Sequence, residues 1–376
     1  MPIVETNICP AILTSLSDNL INNALNVNIH GGALQALTDP TNMIPGQVIR
    51  LANDNNTGQA KQVRVVYKQR MLASDAQITK ECEVGGDELT YLEDTFEVSE
   101  YRGMNFSMSE AQIRQYCESY LELVRITNSN VPGTIVQIAN GLGSAQTELS
   151  VIREMFTDFQ ASSNALVQAI NAKLLDMMDT GKGSWVGGDT NKYFDVEGAN
   201  GEINALGLFQ MKQEYMKTGF RGAPIIIGGA GALQRVWMND SRYFGQGANG
   251  INFAQVRDNT GIAQFYYDEN SASQLGNEER ALIFAPGSAI YTPYLQYVGQ
   301  YGKIGTMNRF TMPLPGMPSV KADCRILEDA CTESYTIYLE QFFDLYTPPT
   351  DLFADGDKNA GVNGIFQATF TEDPTP

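Results

Sequence analysis

The stretch SAQTELSVIREMFTDFQASSNALVQAINAKLLDMMDTG, residues 144–181, contains no Pro and no Gly before its last position. Apolar residues recur in it at steps of three and four, with one gap of seven: Leu149, Ile152, Phe156, Phe159, Leu166, Ile170, Leu174 and Met177. This spacing lines one face of an α-helix. We predict one helix with Ser144 as N-cap and Gly181 as left-handed C-cap. At about 1.5 Å per residue it extends for roughly 50 Å. A bend or break is expected at 162–164, which reads Ser-Ser-Asn.

The composition indicates a globular protein with a lightly charged surface. Of 376 residues, 43% are hydrophobic and 18% are charged, and the net charge is -18. An acidic chain offers few Lys and Arg residues to a phosphate backbone, which argues against a broad nucleic-acid-binding surface. No run of about 18 apolar residues predicts a membrane span, so we expect no membrane partner. We expect the five cysteines to be buried thiols outside any disulfide framework: Cys9, Cys82, Cys117, Cys324 and Cys331.

A charged hairpin is predicted before the long helix. The β-prone runs 63–67 and 96–98 flank a Gly-Gly-Asp turn at 85–87. The first arm carries four cations and no acid: Lys61, Arg64, Lys68 and Arg70. The second carries eight acids and no base: Glu81, Glu83, Asp87, Glu88, Glu93, Asp94, Glu97 and Glu100. Either the two arms pair with each other, or a protruding hairpin offers one basic and one acidic edge to different neighbours. The two interpretations are compatible.

The rest of the chain alternates short helices and strands, which predicts the α+β class. Ser109, followed by Gln112, matches a capping box that opens a helix. A helix at 202–217 is closed by Gly219, and Pro-Ile-Ile-Ile-Gly-Gly at 224–229 predicts a buried strand. Strands are also expected at 193–196, 263–267, 281–285 and from 310 to 345, interrupted by prolines at 313, 315 and 318. Beyond Pro348-Pro349 we expect a tail with a disordered tip.

Motifs for catalysis, cofactors and metals are incomplete. Gly229-x-Gly231 lacks the third glycine of a dinucleotide turn, because Gln234 occupies that position. Gly181-Lys182 lacks the upstream glycine of a phosphate loop, and the calcium-loop spacing that starts at Asp355 fails at its sixth and twelfth positions. Cys324 and Cys331 lack the companions of a zinc site. His30, the only histidine, is expected to be structural or incidental. We therefore predict no catalytic, cofactor-binding or metal-binding residues and no enzyme activity.

The order of predicted elements resembles the major capsid protein of tailed bacteriophages, the Hong Kong 97-type fold. Residues 224–227, a helix holding Trp237, and Asp240–Gly245 (Asp-Ser-Arg-Tyr-Phe-Gly) are similar to the family's strand, helix and Lys-Asp-x-x-Gly-x-Tyr-x-Phe ending. The chain departs from that ending by lacking its first glycine. Residues 323–352 resemble the family's last strands, a polar turn before a long strand and a Pro-containing stretch. Encapsulin shells resemble the same fold.

The resemblance implies a division of the chain into an N-terminal arm, an extended β-hairpin loop, peripheral and axial mixed domains, a closing β segment of the peripheral domain, and a tail. The corresponding ranges are 1–45 for the arm, 46–108 for the hairpin loop, 109–185 for the peripheral domain with its spine helix, 186–305 for the axial domain, 306–350 for the closing segment and 351–376 for the tail. The charged hairpin residues become candidates for contacts between subunits: Lys61, Arg64, Lys68, Arg70, Glu81, Glu83, Glu93, Asp94, Glu97 and Glu100.

The resemblance also implies partners and a location. Hexamers and pentamers of this chain would form an icosahedral shell around double-stranded DNA, which an acidic subunit would contact weakly. A separate scaffolding protein, a portal and decoration proteins would be further partners. The shell would assemble in the host bacterial cytoplasm and remain as the virion capsid. One alternative is an encapsulin-type shell around an enzyme cargo. The other is a soluble enzyme or binding module, with a pocket near His30 or the turn at 228–231.

Overall fold

The structure is a computed structural model. It describes residues 31–39, 42, 48–53, 62–68, 91–109, 146–195, 206–220, 222–232, 264–296, 302–304, 307–314, 317–329, 334–350 and 361–371. Its helices are α1 (Gly32–Thr38), α2 (Gln146–Thr180), α3 (Leu206–Lys217) and α4 (Ser271–Leu275). Its strands are β1 (Val48–Asn53), β2 (Gln62–Lys68), β3 (Tyr91–Glu97), β4 (Glu100–Ser109), β5 (Asn191–Asp195), β6 (Ile225–Gly228), β7 (Gln264–Tyr267), β8 (Arg280–Phe284), β9 (Ile290–Tyr294), β10 (Gly302–Ile304), β11 (Met307–Leu314), β12 (Met317–Asp329), β13 (Ser334–Tyr346) and β14 (Ile365–Thr371).

The chain divides into two compact units, and helices and sheets occur in both, which agrees with the predicted mixture of helix and sheet. The first unit consists of Met1–Ile29, Glu100–Ile170 and Pro293–Phe343, and the second of His30–Ser99, Asn171–Thr292 and Asp344–Pro376.

Helix α2 is the long helix that the sequence predicts. Its 35 residues run unbroken through 162–164, so the expected break is absent, because no Gly or Pro interrupts the hydrogen-bond ladder there. Its buried residues are Phe159, Ser163, Leu166, Val167, Ile170, Asn171, Leu174, Leu175 and Met178, whereas Met177 is half-buried. The side chains of Leu149, Ile152 and Phe156, and the proposed N-cap Ser144, lie outside the described residues.

The predicted left-handed cap at Gly181 is wrong. Gly181 has no positive φ, and its N–H donates to the Met177 carbonyl at 2.8 Å, continuing the helical pattern. A Cβ at this position would lie 2.8 Å from Oγ1 of Thr347, so a larger residue would displace that side chain.

The first unit contains an antiparallel sheet with strand order β10-β11-β12-β13-β4. Phe310, Met312, Cys324 and Leu339 are buried in it, and Phe106 of β4 meets Phe159 of α2 with ring centroids 6.3 Å apart. The prolines interrupt this sheet less than expected. Strand β11 contains Pro313, with a register shift after it, and β12 contains Pro318.

Ser109 is the last residue of β4 and pairs with Ser334 of β13. An N-cap residue itself has extended backbone geometry, so this position is compatible with the capping box, which stays a prediction. The remainder of that predicted helix lies outside the described residues.

The second unit contains a five-stranded mixed sheet of order β5-β14-β8-β6-β7. Strand β14 pairs in parallel with β5 and antiparallel with β8, and β6 pairs in parallel with β7 and antiparallel with β8. The core includes Trp185, Tyr215 and Phe366, all fully buried, and Trp185 stacks on Phe366 with ring centroids 4.6 Å apart. Gly219 closes α3 at φ +80°, as its position after the helix predicts.

The segment expected as a tail, 351–376, contains strand β14. Its residues Ile365, Phe366, Ala368 and Phe370 are buried, and the strand lies between β5 and β8. Asn363 fixes its start. The Asn363 Oδ1 accepts from the Gly183 and Ile365 N–H groups at 2.9 and 3.0 Å, and its Nδ2 donates to the Gly181 carbonyl at 2.7 Å. The predicted disordered tip, 372–376, lies outside the described residues.

Candidate functional site: hairpin sheet and anchoring of the N-terminal segment

Five of the predicted interface residues lie in a three-stranded antiparallel sheet, β1-β2-β3, of the second unit: Arg64, Lys68, Glu93, Asp94 and Glu97. Glu100 begins β4 in the first unit. Lys61, Arg70, Glu81 and Glu83 lie outside the described residues. Arg64, Lys68 and Glu93 are described by their strand positions alone. Asp94, Glu97 and Glu100 are described with their side chains.

Strands β2 and β3 pair antiparallel, as expected for the two arms of a hairpin. Arg64 is opposite Thr95 and Lys68 is opposite Tyr91, while Glu93 is opposite Val66. The direct cross-strand partners of both described cations are therefore uncharged. Diagonal neighbours in a ladder lie about 7–8 Å apart, and Glu93 and Glu97 are the diagonal neighbours of Arg64.

The acids at the base of the hairpin differ in their surroundings. Asp94 is half-buried opposite the fully buried Val65, and its Oδ2 accepts a hydrogen bond of 3.3 Å from the Tyr346 hydroxyl. The Phe96 and Tyr346 rings lie 5.4 Å apart, and burial raises the pKa of Tyr346. These contacts assign Asp94 to anchoring within the chain.

Glu97 and Glu100 offer more accessible carboxylates. Glu97 is exposed, which suits a contact with another molecule. Glu100 is half-buried at the start of β4 and pairs with the Arg102 guanidinium at 3.4 Å. Both side chains of that pair remain about a third exposed, at 34% and 29%, so the pair contributes about 0–1 kcal/mol.

A second candidate site anchors the N-terminal segment and was not predicted from the sequence. Helix α1 is almost entirely buried, and the side chains of Asp268 and Asn171, both fully buried, bind its first turn. Asp268 Oδ2 accepts from the Ala33 N–H at 3.0 Å and from Asn171 Nδ2 at 2.8 Å. Asn171 Oδ1 accepts from the Leu34 N–H at 2.9 Å. These bonds satisfy two N–H groups that a helix start leaves without intrahelical partners.

The residue after α1 is held in the same way. Tyr266 donates its hydroxyl proton to Asp39 Oδ2 at 2.8 Å, and Asn42 Nδ2 donates to the Ala36 carbonyl at 2.9 Å. At the other end, Gly32 touches the Tyr267 carbonyl so closely that a Cβ would lie 2.4 Å from the oxygen. We name the set Asn171, Asp268 and Tyr266 the α1 docking site.

The charge of the α1 docking site depends on Asp268. Burial raises the pKa of Asp268, while the hydrogen bonds from Ala33, Asn171 and the Asn270 N–H act in the opposite direction. A sequence signal existed for half of this site, because Asn171 is a polar residue on the apolar stripe of α2. Its partner, 97 positions away, leaves no local pattern.

Two buried carboxylates lie side by side in the first unit. Asp323 and Glu340 are direct cross-strand partners of β12 and β13 and are 1% and 7% exposed. Asp323 accepts from Thr311 Oγ1 and from the Gln296 N–H, both at 2.6 Å. Glu340 accepts from the Tyr101 hydroxyl at 3.0 Å and from Arg325 at 3.2 Å. Each carboxylate is therefore bound by its own donors, which suits structural roles.

The glycine-rich turn at 228–231 is packed against the chain itself. A Cβ at Gly231 would lie 2.8 Å from the Glu278 carbonyl oxygen, and one at Gly228 would lie 3.2 Å from the Ala232 and Ala281 Cβ atoms. These glycines serve close packing of backbone.

In the described ranges no group of three or more His, Cys, Asp and Glu is placed to hold a metal ion. No helix in the part of the chain that the structure describes is long and apolar enough to cross a membrane. His30 lies outside the described residues.

No protein-family model matches the sequence, and no curated protein matches it. Among solved structures, the chain is similar to the capsid of Ralstonia phage GP4, with 9% identity, a TM-score of 0.44, and coverage of 84% of this chain and 85% of that chain. It is similar to the cyanophage Pam1 capsid at 8% identity and a TM-score of 0.44, over 89% of this chain and 92% of that one. It is also similar to a virus-like particle from Pyrococcus furiosus at 9% identity and a TM-score of 0.38, over 94% and 97%. The resemblance to phage capsid proteins stated from the sequence thus recurs among solved structures. These three TM-scores are below 0.5.

Proposed function

We propose that this chain is the major capsid protein of a tailed bacteriophage, a structural subunit that self-assembles into the icosahedral shell enclosing a double-stranded DNA genome. The proposed role involves no catalysis. The observation that carries it is the order of elements along the chain. A hairpin sheet (β1 to β3) is followed by a 35-residue helix, a mixed sheet, and three antiparallel strands of 8 to 13 residues (β11 to β13). This is the order that the sequence resemblance implies.

In this proposal the predicted divisions acquire roles. The part of the N-terminal arm (1–45) that precedes α1 and the extended hairpin (46–108) reach neighbouring subunits, whereas α1 is bound within its own subunit. The axial domain (186–305) meets its copies at five-fold and six-fold vertices. The peripheral domain combines 109–185 with the closing segment 306–350. The segment from 351 contributes β14 to the sheet of the second unit. Identical subunits with modest individual contacts gain stability by repeating those contacts in closed symmetry.

Charged hairpin residues would set the register between neighbours. Glu97 is the candidate that the structure supports best, because it is exposed at the end of β3. Replacing Glu97 by Lys is expected to lower shell yield while thermal unfolding of the subunit stays unchanged. Glu97→Gln is the matched control, because it removes the negative charge without introducing a positive one. An exposed pair contributes about 0–1 kcal/mol, so the defect should grow as salt is lowered. If Glu97→Lys subunits assemble like the wild type at low salt, Glu97 does not take part in the interface.

The proposed partners are further copies in hexamers and pentamers, a separate scaffolding protein, a portal and decoration proteins. Packaged DNA would be contacted weakly, because a chain of net charge -18 repels phosphates. A tight, salt-resistant affinity for duplex DNA would contradict this part. We place assembly in the host bacterial cytoplasm and the mature protein in the virion.

Electron microscopy of purified particles tests the proposal. The full chain is expressed with and without a candidate scaffolding protein, and the particles are imaged by negative stain and assayed for nuclease-protected nucleic acid. Uniform icosahedral shells, with protected DNA in native particles, are expected. Shells that enclose a protein cargo and no DNA would replace the phage assignment with an encapsulin-type one. Monomers and small oligomers alone, with scaffolding protein present, would overturn the shell function.

A further inference from the structure

Strand β14 lies in a groove between two strands that come from much earlier in the chain. Residues 367–371 pair in parallel with β5, and residues 365–369 pair antiparallel with β8. Strand β5 ends the sheet, and β14 is its one partner among the strands that the structure describes. The main chain of β14 is therefore bonded on both sides, as in sites that bind an added β-strand.

Alternate side chains of β14 fill one apolar pocket. Phe366, Ala368 and Phe370 all belong to the core of the second unit, because side chains two apart point to the same face of a strand. The Phe370 ring lies 6.1 Å from that of Phe194, and the indole N–H of Trp185 donates to a main-chain carbonyl of β14 at 2.7 Å. Pockets for alternate side chains give strand-binding sites their specificity, so this groove is specific for its strand.

Asn363 holds the start of the strand with its full hydrogen-bonding capacity. Its Oδ1 accepts from the Gly183 and Ile365 N–H groups at 2.9 and 3.0 Å. Its Nδ2 donates to the Gly181 and Pro348 carbonyls at 2.7 and 3.3 Å. The side chain is 1% exposed, and an amide has two donors and two acceptor lone pairs. Asn363 therefore joins the segment to the residues that follow α2 and β13.

The chain turns sharply on both sides of Asn363. Gly361 and Gly364 have φ values of +85° and +89°, which favour glycine, and a Cβ at Gly183 would lie 2.4 Å from the Gly361 carbonyl oxygen. Apart from Ile365, the partners of Asn363 and of the strand lie outside residues 361–371. An identical segment of a second copy would therefore make the same contacts.

We propose that the groove between β5 and β8 is a strand-binding site that accepts residues 361–371 from a second copy of this chain as well as from its own, with Asn363 as the latch of the occupant. The occupant follows from the contacts of the segment itself, because they define the sequence that fits. Exchange of an identical element between subunits keeps these contacts and changes only the connection. The inference goes beyond the proposed shell function and does not rest on it.

Amide hydrogen exchange in the soluble wild-type chain tests whether the strand leaves as a unit. Residues 365–371 and 191–195 should exchange together, at least about 10-fold faster than residues 225–228. The reason is that β5 loses its partner when β14 leaves, whereas β6 keeps β7 and β8. Equal rates for all three segments would mean that β14 leaves only when the whole unit unfolds, and would overturn the inference.

Uptake of a fluorescent peptide of residues 361–371 by the full chain measures binding in trans. The subunit should retain the peptide through gel filtration, and Asn363→Ala in the chain should speed uptake at least about 10-fold, because the chain's own strand is then held less firmly. Gln274→Ala, an exposed position in the same unit, is the matched control and should leave uptake within about twofold.

The sequence of the peptide tests the latch separately. A peptide that carries Asn363→Ala should be taken up by the wild-type chain at least about 10-fold less than the unchanged peptide. This comparison stands even if Asn363→Ala in the chain prevents folding. Equal uptake of the two peptides, or no uptake of either, would overturn the proposal.

Photo-cross-linking tests exchange between full chains. An isotopically labelled Asn363→Ala chain carries a benzophenone side chain in place of Thr371, which is opposite Asp195 of β5, and is incubated with the unlabelled Asn363→Ala chain before irradiation. Links from position 371 to unlabelled peptides around Asp195 support the proposal, and links within labelled chains are the internal control. Links within labelled chains alone would overturn exchange between copies. All these measurements use the soluble subunit, so a failure of shell assembly would be a separate result.

Discussion

Replacing Asn171 by Leu should undock the N-terminal segment and destabilise the second unit. Leu has the same number of side-chain heavy atoms, branched at the same carbon, but no polar atoms. The substitution removes the acceptor of the Leu34 N–H at 2.9 Å and the donor to Asp268 Oδ2 at 2.8 Å. Leu34, Asn171 and Asp268 are all fully buried, so water cannot replace either bond without opening the structure.

The magnitude follows from the groups left without partners. A buried N–H without an acceptor costs about 1–3 kcal/mol, and a hydrogen bond to a charged group contributes about 1.5–3 kcal/mol. The expected loss is therefore about 3–5 kcal/mol, a large fraction of the roughly 5–15 kcal/mol typical of a folded protein. For a transition of 150–250 residues this corresponds to a fall in Tm of roughly 6–20 °C.

Thermal and urea unfolding of the soluble subunit measure the loss, and limited proteolysis locates it. Helix α1 has seven residues, too few to persist without its docking site, so new cleavage should appear within 31–39. Gln168→Leu, an exposed position on the same helix, is the control and should change stability by no more than about 0.5 kcal/mol. A loss below about 1 kcal/mol for Asn171→Leu, with no new cleavage, would refute the docking site.

The pH dependence of the same site has a defined sign. Burial raises the pKa of Asp268 above its ordinary value of 3.8, so the folded protein holds this proton more tightly than the unfolded chain. The contribution of Asp268 to stability is then complete below pH 3.8 and is lost as pH rises through the raised pKa. The unfolding free energy of the wild type, relative to Asp268→Asn, should therefore decrease as pH rises from 3.8. An increase would mean that the three hydrogen bonds outweigh burial and that the pKa is depressed.

Three further predictions test other parts of the structure. Gly32→Ala should cost about 1–3 kcal/mol by urea unfolding because its Cβ would meet backbone, whereas Gly229→Ala, whose Cβ would lie at 3.6 Å or more from its neighbours, should cost less. Tyr101 should ionise above pH 10.0 in a spectrophotometric titration against Tyr101→Phe, because burial and the Glu340 charge raise its pKa, and Glu340→Gln should lower that value. Phe366→Ala should cost about 3–5 kcal/mol and weaken the near-ultraviolet circular dichroism of the second unit, and an unchanged spectrum would argue against a central β14.

The sequence predicted correctly those elements that are determined by residues close together in the chain. The apolar period of α2, the buried Ile225–Ile227 run and the glycine at 219 each report on neighbouring residues, and the structure places a helix, a strand and a left-handed cap there. The pairing of β4 with β13 joins positions more than 220 apart, so no local pattern indicated it.

The α1 docking site and strand β14 could not be predicted from neighbouring residues, because both depend on contacts between distant parts of the chain. Asp268 looks like an ordinary turn residue after a strand, and only the fold brings it to Asn171 and the Ala33 N–H. The run Ile365–Thr371 has the composition of a strand, but the polar residues after it suggested a tail. Of the predicted interface residues, the structure distinguishes Asp94, which is bound within the chain, from the exposed Glu97. Sequence spacing could not separate them, because both belong to one acidic run.

The contacts that are fixed within the subunit and those proposed between subunits are chemically different. The N-terminal segment and the C-terminal strand are both fixed to the second unit by buried amide side chains, Asn171 and Asn363, each with specific donors and acceptors. Such bonds are costly to break one at a time, so they define one subunit conformation before assembly. The proposed contact between subunits at Glu97 uses an exposed group whose ion pairs are individually weak. A shell needs this combination, because weak contacts repeated many times allow errors to be corrected, but only if each subunit presents the same rigid surface.

Loosening the α1 docking site should therefore reduce the yield of regular shells more than it reduces association itself. Particle images should show irregular assemblies for Asn171→Leu and regular shells for the control Gln168→Leu. If Asn171→Leu subunits with a cleavable α1 still formed regular shells, regular assembly would not depend on the α1 docking site, and this prediction would be wrong.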